Sequence, residues 1–160
     1  MIRYFEDIAI GDEMELGSHT FGREEIIRFA QKYDPQPYHL SDAATAQTHF
    51  GKLCASGWQT AGIFMRLLVQ KKQALEAEAK AQGEPVALTG PSPGLEDLKW
   101  IKPVFVGDTI SYKRIVSGKT ESRSRPGWGL IHGENHGINQ NGEPVFFFKS
   151  NVFQQRCDRG

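Results

Sequence analysis

The sequence predicts an α+β fold: one long central helix lying against the concave face of an antiparallel β-sheet. Three observations predict it. Gly57 to about Gln82 can run as one helix of roughly 25 residues, roughly 38 Å long. Everything after Glu84 reads as extended segments separated by turn signals. Asn141-Gly142, between two such segments, is the strongest hairpin signal in the chain. A run of strands following a half-apolar helix packs one sheet face against that helix.

In chain order, Tyr4 to Gly11 sets apolar residues among acids and closes on the Gly11-Asp12 turn signal. Glu13 to Phe21 is a short extended candidate. Gly22 can cap a helix, and Glu25 supplies half of a capping box. Ile26, Ile27, Phe29 and Ala30 then recur at helical spacing up to Tyr33. Pro35 disfavours helical geometry at Asp34, so the helix is expected to stop there and leave Asp34 at its exit. Ser41 and Asp42 suit the start of a short helix through about Thr48, and His49, Phe50 and Gly51 lead out of it.

Ser56 opens Ser-Gly-Trp-Gln, which fits a capping box with Gln59 at the third helical position. Ala61, Phe64, Met65, Leu67 and Leu68 predict a buried front half for the long helix. The Ala-rich, charged second half, with i,i+4 pairs Lys72–Glu76 and Glu76–Lys80, predicts an exposed back end stopped by Gly83. Pro91, Pro93 and Gly94 interrupt the first extended segment, which resumes from Leu95 to Ile101. Thr109 to Ser117, Trp128 to Ile138 and Val145 to Phe153 complete the strands. Phe146, Phe147 and Phe148 run consecutively, which implies cover on both faces of the last strand.

Residues 1–160 read as a single domain, long enough to bury a substantial core. The 19 basic and 19 acidic side chains cancel, which argues against nucleic-acid binding and electrostatic membrane attachment. No apolar run approaches a membrane span of roughly 20 residues, and the amino-terminal residues lack the apolar core of a signal peptide. Two cysteines, Cys54 and Cys157, give no disulfide framework, so the expected setting is cytoplasmic. Cys54 lies in an apolar run and reads as a buried, inert thiol. No zinc-ligand spacing appears.

The chemistry-bearing residues concentrate between Asp34 and Thr60. Asp34 and His39 lie five positions apart in Asp-Pro-Gln-Pro-Tyr-His, where two prolines stiffen the segment. A carboxylate and an imidazole converging on a water can polarise it near neutral pH. The alternative is a loop-capping Asp34 and a wall-packing His39, and the residues alone leave both open. Tyr38 reads as packing. Ser56, Gly57 and Trp58 expose backbone N–H groups at the positive end of a helix, which suits an oxygen anion but also ordinary capping. The Gly90–Gly94 loop could present a backbone donor or simply bend a strand. His132 and His136 share a strand face without an evident third ligand, and His19 and His49 have no identifiable partners. Arg123 and Arg125 read as solvated loop charges.

Three ordered motifs together resemble the MaoC-like dehydratases and R-specific enoyl-CoA hydratases. They are DPQPYH at Asp34–His39, FGKLCASGWQT at Phe50–Thr60 and LKWIKPVFVGDT at Leu98–Thr109. The resemblance implies the hotdog fold and a homodimer or higher homo-oligomer with sheets joined edge to edge. It implies acyl-CoA thioester substrates and no metal or cofactor. By the same resemblance, Asp34 and His39 are the catalytic pair that activates water, and Gly94 carries the N–H that holds the thioester oxygen. Ser56, Gly57 and Trp58 complete the substrate-binding set. Gln36 stands where the hydratases commonly have Asn. Gly62 stands where some have Ser, leaving Ser56 and Thr60 as the neighbouring hydroxyls. A hotdog thioesterase and a non-catalytic acyl-CoA-binding protein are the alternatives. The absence of Asp or Glu from Gly57 to Leu68 weighs against the thioesterase.

Overall fold

In the computed structural model, five strands form one antiparallel sheet in the order β1-β3-β4-β5-β2. Residues 2–46 and 48–157 are described. The strands are β1 (Glu13–Thr20), β2 (Gly94–Trp100), β3 (Thr109–Glu121), β4 (Trp128–Ile138) and β5 (Pro144–Gln155). The helices are α1 (Arg23–Tyr33), α2 (Asp42–Thr45) and α3 (Gly57–Ala81). The expected α+β arrangement, a long helix held by an antiparallel sheet, is what forms.

The β3-β4-β5 meander is the sheet's centre. The β4-β5 hairpin forms where Asn141-Gly142 signals it, with Gly142 at φ 78°. Asn141 does not take positive φ, however. The turn is the longer 139–143 loop, closed by Asn139 N–H donating to the Glu143 carbonyl at 2.9 Å, not a two-residue turn. Alternate residues of β3, β4 and β5 point toward α3. Ile110, Tyr112, Phe146 and Phe148 are buried there, while Val116 and Ile131 are buried in a smaller cluster with Phe5 and Ile8. Phe64 of α3 meets Phe148 edge-on with ring centroids 5.0 Å apart, and the Tyr112 hydroxyl donates to the Thr60 carbonyl at 3.2 Å. Phe147, on the other face, is partly covered by the His136 ring.

Local signals mostly act as their chemistry predicts. The Gly22 N–H donates to Glu25 Oε1 at 2.9 Å, and α1 ends at Tyr33 before Pro35. Gly83, at φ 71°, stops α3.

Four expectations need correction. α2 ends at Thr45 rather than about Thr48, and Gln47 within that span lies outside the described residues. The α3 capping box is not closed: Gln59 Oε1 is buried without a hydrogen-bond partner. The front of α3 is buried on one face only, leaving Trp58 and Met65 at least half exposed. The back end is not wholly exposed, because the long strands reach it: Ala79 is buried and Lys72 half-buried.

Residues 84–93 form no strand beyond an isolated bridge from Thr89 to Gln154. Gly90 lies there for packing. Its N–H donates to the Phe153 carbonyl at 2.8 Å, and a Cβ would stand 2.9 Å from that of Phe153.

Candidate active site

The site is built on a short backbone pairing. Ala55 N–H donates to the Val104 carbonyl at 2.8 Å, and Val106 N–H to the Leu53 carbonyl at 3.2 Å. This pins residues 53–55 beside 104–106 and fixes the Cys54 carbonyl. His39 Nδ1 lies 2.7 Å from that carbonyl oxygen. A carbonyl can only accept, so Nδ1 carries the hydrogen and Nε2 of the neutral ring carries the lone pair. A short 3-10 turn, Pro37–His39, started by Pro37, sets the ring in this pose.

Asp34 follows the last residue of α1, and its N–H caps the helix by donating to the Ala30 carbonyl at 2.9 Å. Its side chain is held from three directions. Ser56 Oγ donates to Oδ2 at 2.6 Å, Gln36 Nε2 donates to Oδ1 at 2.8 Å, and His39 Nε2 lies 3.4 Å from Oδ2. Burial pushes the Asp34 pKa up, but the Ser56 hydroxyl, the Gln36 amide and His39 together hold it below the ordinary carboxylate value. Two acceptors, Oδ2 and Nε2, thus stand side by side, the arrangement needed to receive the O–H bonds of one water.

Both residues line a cavity of about 430 Å³, the size of small-molecule sites generally. Gly57, Trp58 and Thr60 of α3 form one wall, and Trp100 to Val104 form another. Trp58 and Trp100 meet edge to face at 5.0 Å, and the Trp100 ring lies directly on Gly57. A Cβ on Gly57 would stand 2.4 Å from that ring, so glycine is needed for the close approach. Gly57 is the first residue of α3, where its N–H has no intrahelical carbonyl to meet.

The structure thus brings Asp34, His39, Gly57 and Trp58 together around one cavity. Ser56 is behind its wall: fully buried, it caps α3 through Trp58 N–H at 3.3 Å and positions Asp34. Gly94 does not line the cavity of its own chain. It opens β2 at the end opposite Trp100, and its N–H lies 3.4 Å from Ser92 Oγ. Gly62 is exposed and outside the lining, so a hydroxyl there would not face this cavity, whereas Thr60 does line it.

Tyr38 is the residue that sequence reasoning underestimated. It lines the cavity, and its hydroxyl donates to Gln36 Oε1. Gln36 therefore joins Tyr38 to Asp34, a link made possible because alternate residues of the proline-stiffened segment lie on one side. Burial, then Asp34 and Cys54, raise the Tyr38 pKa. Only the presence of three polar side chains around two prolines hinted at this chain of hydrogen bonds.

The lesser candidates mostly keep their quieter readings. Burial pushes the Cys54 thiol up to about 11, which makes it inert near neutral pH. His132 bonds Thr120 Oγ1 at 2.8 Å and Asn151 Oδ1 at 2.6 Å, while His136 meets Phe147 edge-on with ring centroids 5.1 Å apart. Among the described residues no group of three His, Cys, Asp or Glu could hold a metal ion, and no helix is long and apolar enough to cross a membrane. His19 is a correction. It lies 2.8 Å from Glu25 and accepts from Arg66 at 3.1 Å, so it has two partners.

With this geometry in view, the comparisons with known proteins become specific. Residues 7–127 match the MaoC-like domain family. A solved MaoC-like dehydratase from Rhodospirillum rubrum is 31% identical, with a TM-score of 0.80 over 97% of this chain and 98% of that one. The (R)-hydratase of A. caviae involved in PHA biosynthesis is 23% identical, with a TM-score of 0.65 over 92% and 97% of the two chains. Protein MaoC of Klebsiella aerogenes is 28% identical over 124 residues, 77% of this chain and 33% of that protein. The chain spans less than half the length of the curated relatives it matches.

Proposed function

The chain belongs to the MaoC-like dehydratase family and has its hotdog fold, and from that premise we propose that it reversibly hydrates trans-2-enoyl thioesters to R-3-hydroxyacyl thioesters. Family membership supports hydro-lyase chemistry broadly. The observation that carries the finer reading is the His39–Asp34 pair, 3.4 Å apart in the wall of the 430 Å³ cavity, with the ring's protonated nitrogen fixed away from it.

In the proposed reaction Asp34 Oδ2 and His39 Nε2 hold a water. As its oxygen bonds to the β-carbon, one water proton passes to Nε2. The electron pair of the carbon–carbon double bond moves onto the thioester oxygen as an enolate. The proton on the dyad then returns to the α-carbon as the enolate collapses, so the water is consumed whole. The enolate oxygen needs a donor in place before charge develops. Within the chain Gly57 N–H, at the positive end of α3, is the available one.

A homodimer would bring a second donor. β2 has one free edge, and apolar Leu95, Trp100 and Ile101 are exposed along or beside it, as are Trp58, Met65 and Val69 on α3. Two-fold pairing of identical edges is antiparallel. It would set Gly94 of a second copy near Trp100 of the first, and so near the cavity that Gly94 does not reach in its own chain. An acyl-CoA partner, a single domain over 1–160 and a cytoplasmic setting complete the proposal.

The test is a panel of enoyl-CoA and enoyl-acyl-carrier-protein thioesters of different chain length. Enoyl absorbance and free thiol are followed together. Loss of absorbance without thiol release is expected. Thiol release instead would make the protein a thioesterase. Neither signal on any substrate, with thermal stabilisation by acyl-CoA, would leave it a binding protein.

A further inference from the structure

A second cavity, of about 170 Å³, lies between the middle of α3 and the sheet. Met65, Leu68 and Val69 give it an apolar side, and its charged lining consists of Lys72 and Arg114. No carboxylate belongs to that lining. It is separate from the dyad cavity in the chain. The two linings share no residue, and Phe64, between Thr60 and Leu68 on α3, packs on Phe146 and Phe148.

Arg114 is the unusual residue. It sits mid-strand on β3, at a position where its neighbours Tyr112 and Val116 are core residues, and only 5% of it is exposed. Its Nε and Nη2 have no hydrogen-bond partner among the described residues. They press on Gly133, where a Cβ would come within 2.7 Å of Nε. A buried guanidinium without a counter-charge is a costly group, and native proteins rarely keep one without something to neutralise it.

Among the described residues no carboxylate forms an ion pair with it, although Asp12 and Glu13 line a small separate cavity that Arg114 also touches. Asp12 is engaged with Arg3, and Glu13 with Lys113 at 3.5 Å. Glu76, one turn on from Lys72, acts on Lys72. Burial and, to a lesser extent, Arg114 lower the Lys72 pKa against the opposing effect of Glu76, and both cations line the same cavity.

We propose that Lys72 and Arg114 form a binding site for the carboxylate of a small organic acid, separate from the Asp34–His39 site. The volume equals roughly five or six waters at about 30 Å³ each, enough for a carboxylate with a short carbon chain. The apolar side formed by Met65, Leu68 and Val69 would receive that chain. A guanidinium and an ammonium together are the donors that a carboxylate takes up best in a partly apolar site. This proposal does not rest on the hydration reading.

Succinate is the probe, titrated into the full chain at constant ionic strength with thermal unfolding and calorimetry as readouts. Saturable binding and a rise in Tm are expected, with succinamide, its neutral analogue, inert. Lys72→Met and Arg114→Met should each weaken binding at least tenfold. Lys72 is only half-buried, so Lys72→Met keeps the test valid should Arg114→Met fail to fold. A parallel titration with succinyl-CoA identifies the source. Binding of both ligands, each lost in Lys72→Met, points to a free acid. Binding of the thioester alone, again lost in Lys72→Met, places the carboxylate on an acyl chain and keeps the site. An equal response to succinamide, no response to either anion, or undiminished binding in Lys72→Met overturns the proposal.

Discussion

Ser56 Oγ lies 2.6 Å from Asp34 Oδ2 while accepting the Trp58 N–H at 3.3 Å. One buried hydroxyl therefore starts the long helix and fixes the carboxylate across 22 residues of sequence. Stability and site geometry share this atom. Ser56→Ala should cost about 1–3 kcal/mol, the usual range for a lost cap or a buried polar group left unpaired. Chemical denaturation measures it.

The same substitution has a pH signature. The folded Asp34 pKa is depressed, so its contribution to stability is complete above the unfolded value of about 3.9 and disappears as pH falls through the lower folded value. Removing the Ser56 hydrogen bond raises the folded value toward the unfolded one. Acid unfolding of Ser56→Ala should therefore begin at higher pH than in the wild type. A series of thermal melts from neutral to acid pH reads the shift, and coincident curves after normalisation would contradict it.

Asp34→Asn and His39→Gln roughly keep side-chain size but remove the carboxylate charge and the basic ring nitrogen, leaving amides that cannot take up a proton. Each should lower kcat for enoyl-thioester hydration about 10²–10⁴-fold, the usual contribution of positioned acid–base groups. Circular dichroism should be unchanged. Full activity in both would remove the dyad from the mechanism.

Tyr38→Phe tests the link through Gln36. Losing one hydrogen bond of about 1 kcal/mol frees the Gln36 amide to turn from Asp34, and kcat should fall by up to about tenfold. Gln36→Asn, one methylene shorter, cannot span both partners and should act in the same direction. Combining Tyr38→Phe with Gln36→Asn should add little to either change alone.

Gly57→Ala tests the Trp100 contact. The new methyl would stand 2.4 Å from a rigid ring, so Trp100 must move and its edge-to-face contact with Trp58 is lost. A change in tryptophan fluorescence and a raised KM are expected. Unchanged fluorescence would mean that the backbone yields instead.

How much of this was legible depends on the range of the interactions. Asn141-Gly142, the Gly22–Glu25 contact and the Pro35 stop are local, and each acts where its residues predict. Asp34 and His39 were legible as a pair because two prolines separate them by only five positions. Ser56 was legible as a cap but not as the donor to Asp34, because that depends on where α1 ends relative to α3. Arg114 was invisible. A cation in a strand alternating with Ile110, Tyr112 and Val116 breaks the pattern, yet only the packed sheet shows that its face is buried. Gly94 was placed by motif order, which does not distinguish one chain's cavity from another's.

The strand order has a consequence for how the chain folds. The central meander needs only short loops: β3 and β4 follow each other directly, and β4 and β5 are joined by the 139–143 loop. β1 must instead find β3 across most of the chain, pairing Glu13 with Ile115 and Thr20 with Thr109. Closing that loop costs more entropy before any contact compensates. The meander should thus acquire protection from hydrogen exchange first, with β1 later. The walls around Asp34 and His39, drawn from residues 34–60 and 100–104, would also close late. Pulse-labelled exchange during refolding should find the amides of Ile131 and Phe146 protected ahead of those of Leu16 and Ala55. The central meander would then be complete before the cavity around Asp34 and His39 has closed.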